Sequence, residues 1–241
     1  MLRLLLLLCL YLGLHTGVYA QIDSTARKKT VWKSFIAPVT LMTAGLVTQG
    51  AISREVRREV RSAFPNFHTP ADDYLQYLPT LVPLGLGALG VKGKHALKDQ
   101  LILMVLSQGV AQSVTQGMKH LVRYPRPNGE DNLSFPSGHT TFAFTGAAVL
   151  AKEYGERSIW YSIGGYGVAT GVASLRVINN EHWLADVLFS AGLSIAATEG
   201  VYRIYPWIQR KILRKLFRQK NMALMPYYSG SAYGVAMVMP L

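Results

Sequence analysis

Between Lys119 and Asp186 the chain carries three short groups of chemically competent residues, separated by apolar stretches. The first places Lys119 ahead of Arg126 and Pro127. The second is Pro136-Ser137-Gly138-His139. The third sets Arg176 before His182 and Asp186. Three cations, two imidazoles, a carboxylate and a Ser-Gly pair form an inventory for gripping a phosphate and cleaving it, because phosphoryl transfer asks mainly for positioning and charge stabilisation. His182 and Asp186 are four apart, so on a helix they share a face. A carboxylate on one imidazole nitrogen fixes the tautomer and leaves the other nitrogen free to attack. Taken alone, such a pair is more often a core contact that satisfies itself. Ser137 and Gly138 open a helix, where backbone N–H groups and a hydroxyl make an anion site; Pro136 suits a first helical turn. His139 would protonate a departing alkoxide there, although an ordinary capped helix start has the same sequence. Lys119 and Arg126 flank a helix end that Pro125 and Pro127 terminate. Cations flanking a membrane segment are the plain alternative.

Apolar segments must position these groups. Residues 34–52 are apolar and could cross or lie in a bilayer. Ser53 then caps a charged helix over 54–61 whose valines recur at i, i+4. Residues 65–70 read as a loop and 74–92 as a second apolar segment. A helix over 97–118 carries Gln100, Gln108, Gln112, Ser113, Thr115 and Gln116, so it should face the protein interior, where such groups find partners. Apolar helices follow at 139–153, 158–175 and 182–204. Gly164, Gly165, Gly167, Gly171, Ala191 and Gly192 would let their backbones approach closely. Residues 207–220 alternate apolar and basic residues as a basic amphipathic helix. Residues 222–239 read as a small β-hairpin. The expected fold is all-α, a helical bundle of roughly six core helices with a hairpin at its C-terminus.

Residues 1–20 read as a secretory signal: Arg3, an apolar run over 4–14, and Val18-Tyr19-Ala20 as the cleavage site. The helical domain would then span 21–221 and the hairpin tail 222–241. The single cysteine, Cys9, lies in the signal, so the mature chain is expected to have no thiol chemistry. The 241 residues suffice for one domain with a sizeable core. Half are hydrophobic, and the mean hydropathy of +0.19 is high for a soluble enzyme but low for a chain of continuous lipid-facing spans. The formal net charge of +12 allows nucleic acid as a partner, but the basic residues sit between apolar segments. A membrane surface or an anionic substrate fits better.

Taken together, Lys119-x6-Arg126-Pro127, Pro136-Ser137-Gly138-His139 and Arg176-x5-His182-x3-Asp186 resemble the type 2 phosphatidic acid phosphatase family, also called the PAP2 or acid phosphatase/vanadium haloperoxidase family. The motifs occur in order, which is highly specific. One departure is Leu175, where the family usually has Ser. The resemblance implies that His182 is the nucleophile and forms a phosphohistidine. It implies that Asp186 orients His182, and that His139 is the general acid. Lys119, Arg126, Arg176, Ser137 and the Gly138 backbone would cradle the phosphate, with no metal or other cofactor. His68, His95 and His120 match no motif and read as surface or loop residues.

The resemblance implies an exported, membrane-associated lipid phosphatase working on the periplasmic side. Its expected substrate is a phosphorylated lipid: lipid A phosphate first, isoprenyl pyrophosphate or phosphatidylglycerophosphate next. A non-specific acid phosphatase on soluble esters is the alternative, cued by the modest hydropathy and the polar helix over 97–118. An idle membrane structural protein and a haloperoxidase rank lower. The three motifs fall at one end of the bundle. With an exported N-terminus and every apolar helix spanning, that end would face the cytoplasm; a periplasmic site requires that one early segment not cross or that residues 1–20 not be a signal, and 34–52 is expected to lie against the bundle or in the interface.

Overall fold

The computed structural model describes residues 33–213, 223–228 and 233–238. The expected signal over 1–20 and residues 214–220 of the expected basic helix lie outside the described residues. The elements are α1 (Lys33–Val47), α2 (Ala51–Ala63), α3 (Ala71–Leu75), α4 (Leu78–Ala88), α5 (Leu97–Val122), α6 (Gly138–Tyr154), α7 (Ile159–Ile178) and α8 (Leu184–Ile208), then a π-helical segment, Gln209–Leu213. Strands β1 (Ala223–Tyr228) and β2 (Tyr233–Val238) pair antiparallel, with Ala223 opposite Val238 and Tyr228 opposite Tyr233. The chain divides into two compact units, one ending at Val201 and the other beginning at Tyr202.

In the first unit α6 is the central helix, packed by α4, α5 and α7. It is buried nearly all round, as expected of a helix apolar on every face. Ala143, Phe144 and Ala147 join Val56 and Val60 of α2, Ala169 and Val172 of α7, and Leu184, Val187 and Ala191 of α8 in one core cluster. Small residues set two of the close approaches. A Cβ at Gly146 would lie 2.5 Å from Thr80 Oγ1, so α4 rests directly on the α6 backbone. A Cβ at Gly192 would lie 2.5 Å from the Pro38 carbonyl, and one at Gly45 would lie 2.7 Å from the Phe189 nitrogen. Thus α1 lies directly against α8. The apolar stretch 34–52 is not one rod, because α1 and α2 meet at a bend of 82°.

Several local expectations are corrected. Ser53 lies inside α2, not at its cap; its hydroxyl donates to the Thr48 carbonyl and accepts the Ala185 N–H, tying α2 to the start of α8. Pro136 precedes the Ser137 cap, with a cis Phe135–Pro136 bond, so it is not in the first turn of α6. On α5, Gln100 and Thr115 are buried, and Gln108 and Gln112 donate to α4 and α6. Ser113 and Gln116 are exposed because they fall on the far side of the 3.6-residue period. Gly165 packs against Leu150 and Ala147, but Gly164, Gly167 and Gly171 have no neighbour within 4 Å of an added Cβ. His68 and His120 are exposed and His95 lies in the loop before α5, as expected; His95 is half-buried there and contacts the buried Glu153 carboxylate at 2.8 Å.

Among the described residues, Leu184–Lys211 is long and apolar enough to cross a membrane, and 61% of its apolar 18-residue window is buried inside the protein. The α1–α2 pair passes the same test only as one bent span. Leu101, Val105, Val110, Val114 and Leu121 stand exposed along α5.

Candidate active site

All three groups collect where α5 and α7 end and where α6 and α8 begin. α5 stops at Val122 because Arg123 takes a left-handed turn (φ 47°) and Pro125 and Pro127 follow. Lys119, in its last turn, is buried, and its ammonium donates to the Leu133 and Ser134 carbonyls. Burial first, and then the neighbouring Arg126 charge, lower its pKa to about 8. The connecting loop is pinned by two hydrogen bonds: Trp183 Nε1 donates to the Pro125 carbonyl at 2.8 Å, and Ser134 N donates to the Tyr124 carbonyl at 2.9 Å.

His182 lies two residues ahead of α8, not inside it, and Asp186 sits in the first turn of that helix. The contact expected from their spacing is made all the same, with His182 Nδ1 3.3 Å from Asp186 Oδ2. That carboxylate oxygen also accepts the Trp183 N–H at 2.9 Å and the Ser134 hydroxyl at 2.5 Å. Ser134 Oγ stands 3.4 Å from His182 Nδ1. The imidazole is thus held on its Nδ1 side, and Nε2 has no hydrogen-bond partner among the described residues. Burial outweighs the Asp186 carboxylate and brings the His182 pKa down to about 4, so the ring is neutral near pH 7.

The two arginines converge on one oxygen. Glu181 Oε2 accepts Arg126 Nη1 at 2.6 Å and Arg176 Nη2 at 3.3 Å. Asp131 holds Arg126 from the other side, its Oδ1 accepting Nε at 2.8 Å. Arg176 is buried; its Nη1 donates to Asp72 Oδ2 at 2.8 Å, and its buried Nε finds no acceptor among the described residues. Asp72 is 1% exposed and also accepts Asn179 Nδ2 at 2.9 Å.

Ser137 is the N-cap of α6. It is fully buried, its hydroxyl accepts from Thr140, and its N–H donates to Ser190 Oγ at 2.7 Å. Ser190 in turn donates to the Asp186 carbonyl, which locks the start of α6 to the first turn of α8. Gly138 has no neighbour within 4 Å where a Cβ would stand. His139 Nε2 lies 2.8 Å from Asp73 Oδ1. Burial and then Arg176 lower the His139 pKa, against the Asp73 and Asp72 carboxylates. Asp72, Asp73 and His139 bring ligand atoms within 4.8 Å of one another, a spacing that a cation could use. Here both Asp72 oxygens are engaged by Arg176 and Asn179, and His139 is engaged by Asp73.

All eight residues singled out in the sequence therefore belong to one connected network. Sequence reasoning missed Ser134, Asp72, Asp73, Glu181 and Asp131. Only Glu181 and Asp131 carried a signal, as acids beside motif arginines in a chain where basic residues dominate.

The PAP2 superfamily model matches residues 100–210. Lipid A 1-phosphatase of Porphyromonas gingivalis is 36% identical over 162 residues, which are 65% of this chain and 35% of that protein. The chain therefore spans about a third of the length of the relative it matches. The crystal structure of Aquifex aeolicus LpxE aligns with a TM-score of 0.50 and 22% identity, covering 65% of this chain and 98% of that one. The crystal structure of the first transmembrane PAP2-type phosphatidylglycerolphosphate phosphatase from Bacillus subtilis aligns with a TM-score of 0.53 and 20% identity, covering 75% and 98%. At those identities the two structures establish the helical fold. The PAP2 superfamily match itself rests on the sequence of residues 100–210, the stretch that carries all three motifs.

Proposed function

We propose that the chain is a metal-independent phosphatase that removes a phosphate from a membrane lipid through a phosphohistidine. The observation that carries this reading is the convergence of Arg126 and Arg176 on one carboxylate oxygen beside a neutral, Nδ1-anchored His182. A carboxylate oxygen held by two guanidinium groups occupies ground that a phosphate oxygen can take, accepting a charge-assisted hydrogen bond from each. The unpartnered Nε of Arg176 offers a further donor.

In the proposed sequence, His182 Nε2 attacks phosphorus while Asp186, steadied by Ser134 and the Trp183 N–H, stabilises the positive charge that develops on the ring. The P–O bond breaks and His139, as imidazolium, gives its proton to the leaving oxygen. Lys119, Arg126, Arg176 and the start of α6 at Ser137-Gly138 bear the transition-state charge. Water then attacks the phosphohistidine with neutral His139 as base, and the P–N bond returns its electron pair to His182.

Lipid A phosphate is the first substrate choice, supported by the name of the Porphyromonas gingivalis relative. Isoprenyl pyrophosphate and phosphatidylglycerophosphate come next. The apolar strip on α5 and the apolar helix Leu184–Lys211 support membrane association. We place the site on the periplasmic side, with α1 packed on α8 and not crossing. The test is phosphate release from a panel of these lipids and a soluble ester by the purified wild type and His182→Ala. Loss of a covalent nucleophile should cost several orders of magnitude in rate; near-normal turnover by the variant excludes the phosphohistidine. Turnover of the soluble ester alone would favour the acid phosphatase reading.

A further inference from the structure

Helix α3, at Ala71–Leu75, lies outside the matched stretch 100–210, yet it delivers two consecutive carboxylates to the site. Asp72 is the anchor. It is 1% exposed and binds Arg176 and Asn179, while Asn179 clasps the Thr69 backbone on both sides, accepting its N–H at 3.1 Å and donating to its carbonyl at 2.8 Å. A five-residue helix has little cohesion of its own. These contacts fix where the next side chain stands. Asp73, half-exposed, then meets His139 Nε2 at 2.8 Å, and the other ring nitrogen, Nδ1, has no partner among the described residues.

We propose that Asp73 is the positioning residue of the general acid: it holds the Nε2–H of His139 and stabilises the imidazolium, so that the proton given to the leaving oxygen comes from Nδ1. The proposal rests on the phosphatase reading above. When the P–O bond breaks, the Nδ1–H proton passes to the departing alkoxide, and His139 is left neutral with its remaining proton on Nε2, donated to Asp73. In the hydrolytic step, Nδ1 takes a proton from the attacking water. The charged groups that face His139 are Arg176, Asp72 and Asp73. Burial and Arg176 disfavour the imidazolium, and the Asp73 hydrogen bond is the largest effect opposing them.

The experiment compares two substrates with one set of enzymes. p-Nitrophenyl phosphate releases a phenolate that needs no proton; a long-chain monoalkyl phosphate in micelles releases an alkoxide that does. Positioned general acids contribute about 10²–10⁴-fold. Asp73→Asn should therefore lower kcat/KM on the alkyl phosphate by roughly 10–100-fold, with a much smaller loss on p-nitrophenyl phosphate. The alkaline limb of the alkyl phosphate pH profile should move to lower pH. In a His139→Ala background, Asp73→Asn should cause no further loss, because the two act as a unit. Asp73→Ala repeats the comparison without the amide, and thermal melts of each variant monitor folding. Equal losses on both substrates, an unmoved pH limb, or a full additional loss in the His139→Ala background would overturn the proposal. Wild-type enzyme that hydrolyses neither ester nor any lipid of the panel above would instead remove the phosphatase reading, and this proposal with it.

Discussion

Glu181 tests whether the arginine pair is an anion cradle. Its carboxylate is 17% exposed, and one oxygen touches both Arg126 at 2.6 Å and Arg176 at 3.3 Å. A phosphate held by the same two guanidinium groups must displace that oxygen or sit within about 4 Å of it. Two unit charges about 4 Å apart interact by about 4 kcal/mol at an effective dielectric near 20. Partial exposure and retreat of the side chain reduce this, so roughly 1–2 kcal/mol is expected after screening. Glu181→Gln keeps the shape and the acceptor oxygen but removes the charge. It should lower the Ki of orthovanadate and of inorganic phosphate by about 5–30-fold, with the gain shrinking as salt rises. The assay is inhibition of p-nitrophenyl phosphate hydrolysis across inhibitor concentrations at low and high ionic strength. An unchanged or raised Ki would mean that Glu181 braces the arginines for binding and does not compete with the anion, and the cradle argument would lose its electrostatic basis.

Two further outcomes follow from the same site, and a third from the basic sequence over 207–220. EDTA should leave turnover intact and vanadate should inhibit it, because the motifs supply cations where a metal enzyme would supply ligands, and vanadate adopts the five-coordinate geometry of a phosphoryl transition state; loss on chelation, restored by a divalent ion, would overturn this. His182 has a folded-state pKa of about 4, below the ordinary value of 6.5, so it binds its proton more weakly folded than unfolded. Its contribution to stability is then full above about pH 6.5, declines as pH falls, and is gone near about pH 4; the thermal midpoint of wild type should drop more between about pH 7.5 and 5 than that of His182→Asn, and parallel drops would refute it. Reversing the charges at Arg214, Lys215 and Arg218 should raise the KM for a bilayer substrate while leaving a short soluble phosphate ester nearly unaffected; equal losses on both would mean that this stretch supports the fold.

The cations and imidazoles were legible because they sit at helix ends, where the chain announces itself. Pro125 and Pro127 mark the end of α5, Ser137-Gly138 the start of α6, and the Asn179-Asn180 turn the passage from α7 to α8. The His182–Asp186 contact was legible at i, i+4 although α8 starts only at Leu184, because the turn before the helix keeps the two side chains on one side. Helix boundaries and faces were less so. Glycines at 164, 167 and 171 look like packing contacts in a linear reading, but a period of 3.6 turns them away from α6 while Gly165 meets it.

The buried counter-charge of Arg176 was illegible for a different reason. A buried guanidinium must be paired, since leaving it alone in a low-dielectric interior costs several kcal/mol, so Arg176 required an acid; nothing in the sequence said which. The partner is Asp72, separated from it by 104 residues and placed by a helix too short to show a period. The same logic runs through the site. Each cation is held by acceptors already in place: Lys119 by the Leu133 and Ser134 carbonyls, Arg126 by Asp131 and Glu181, Arg176 by Asp72 and Glu181. These partners hold a cluster of like charges together before substrate arrives, and they preorganise the donors that phosphoryl transfer uses. The acids also set a limit on anion affinity, because a phosphate oxygen that enters between Arg126 and Arg176 must compete with the Glu181 carboxylate already in place. An enzyme that must release inorganic phosphate after each turnover gains from that competition. On the phosphatase reading, the acids around the cradle therefore matter to turnover as much as the motif residues they face.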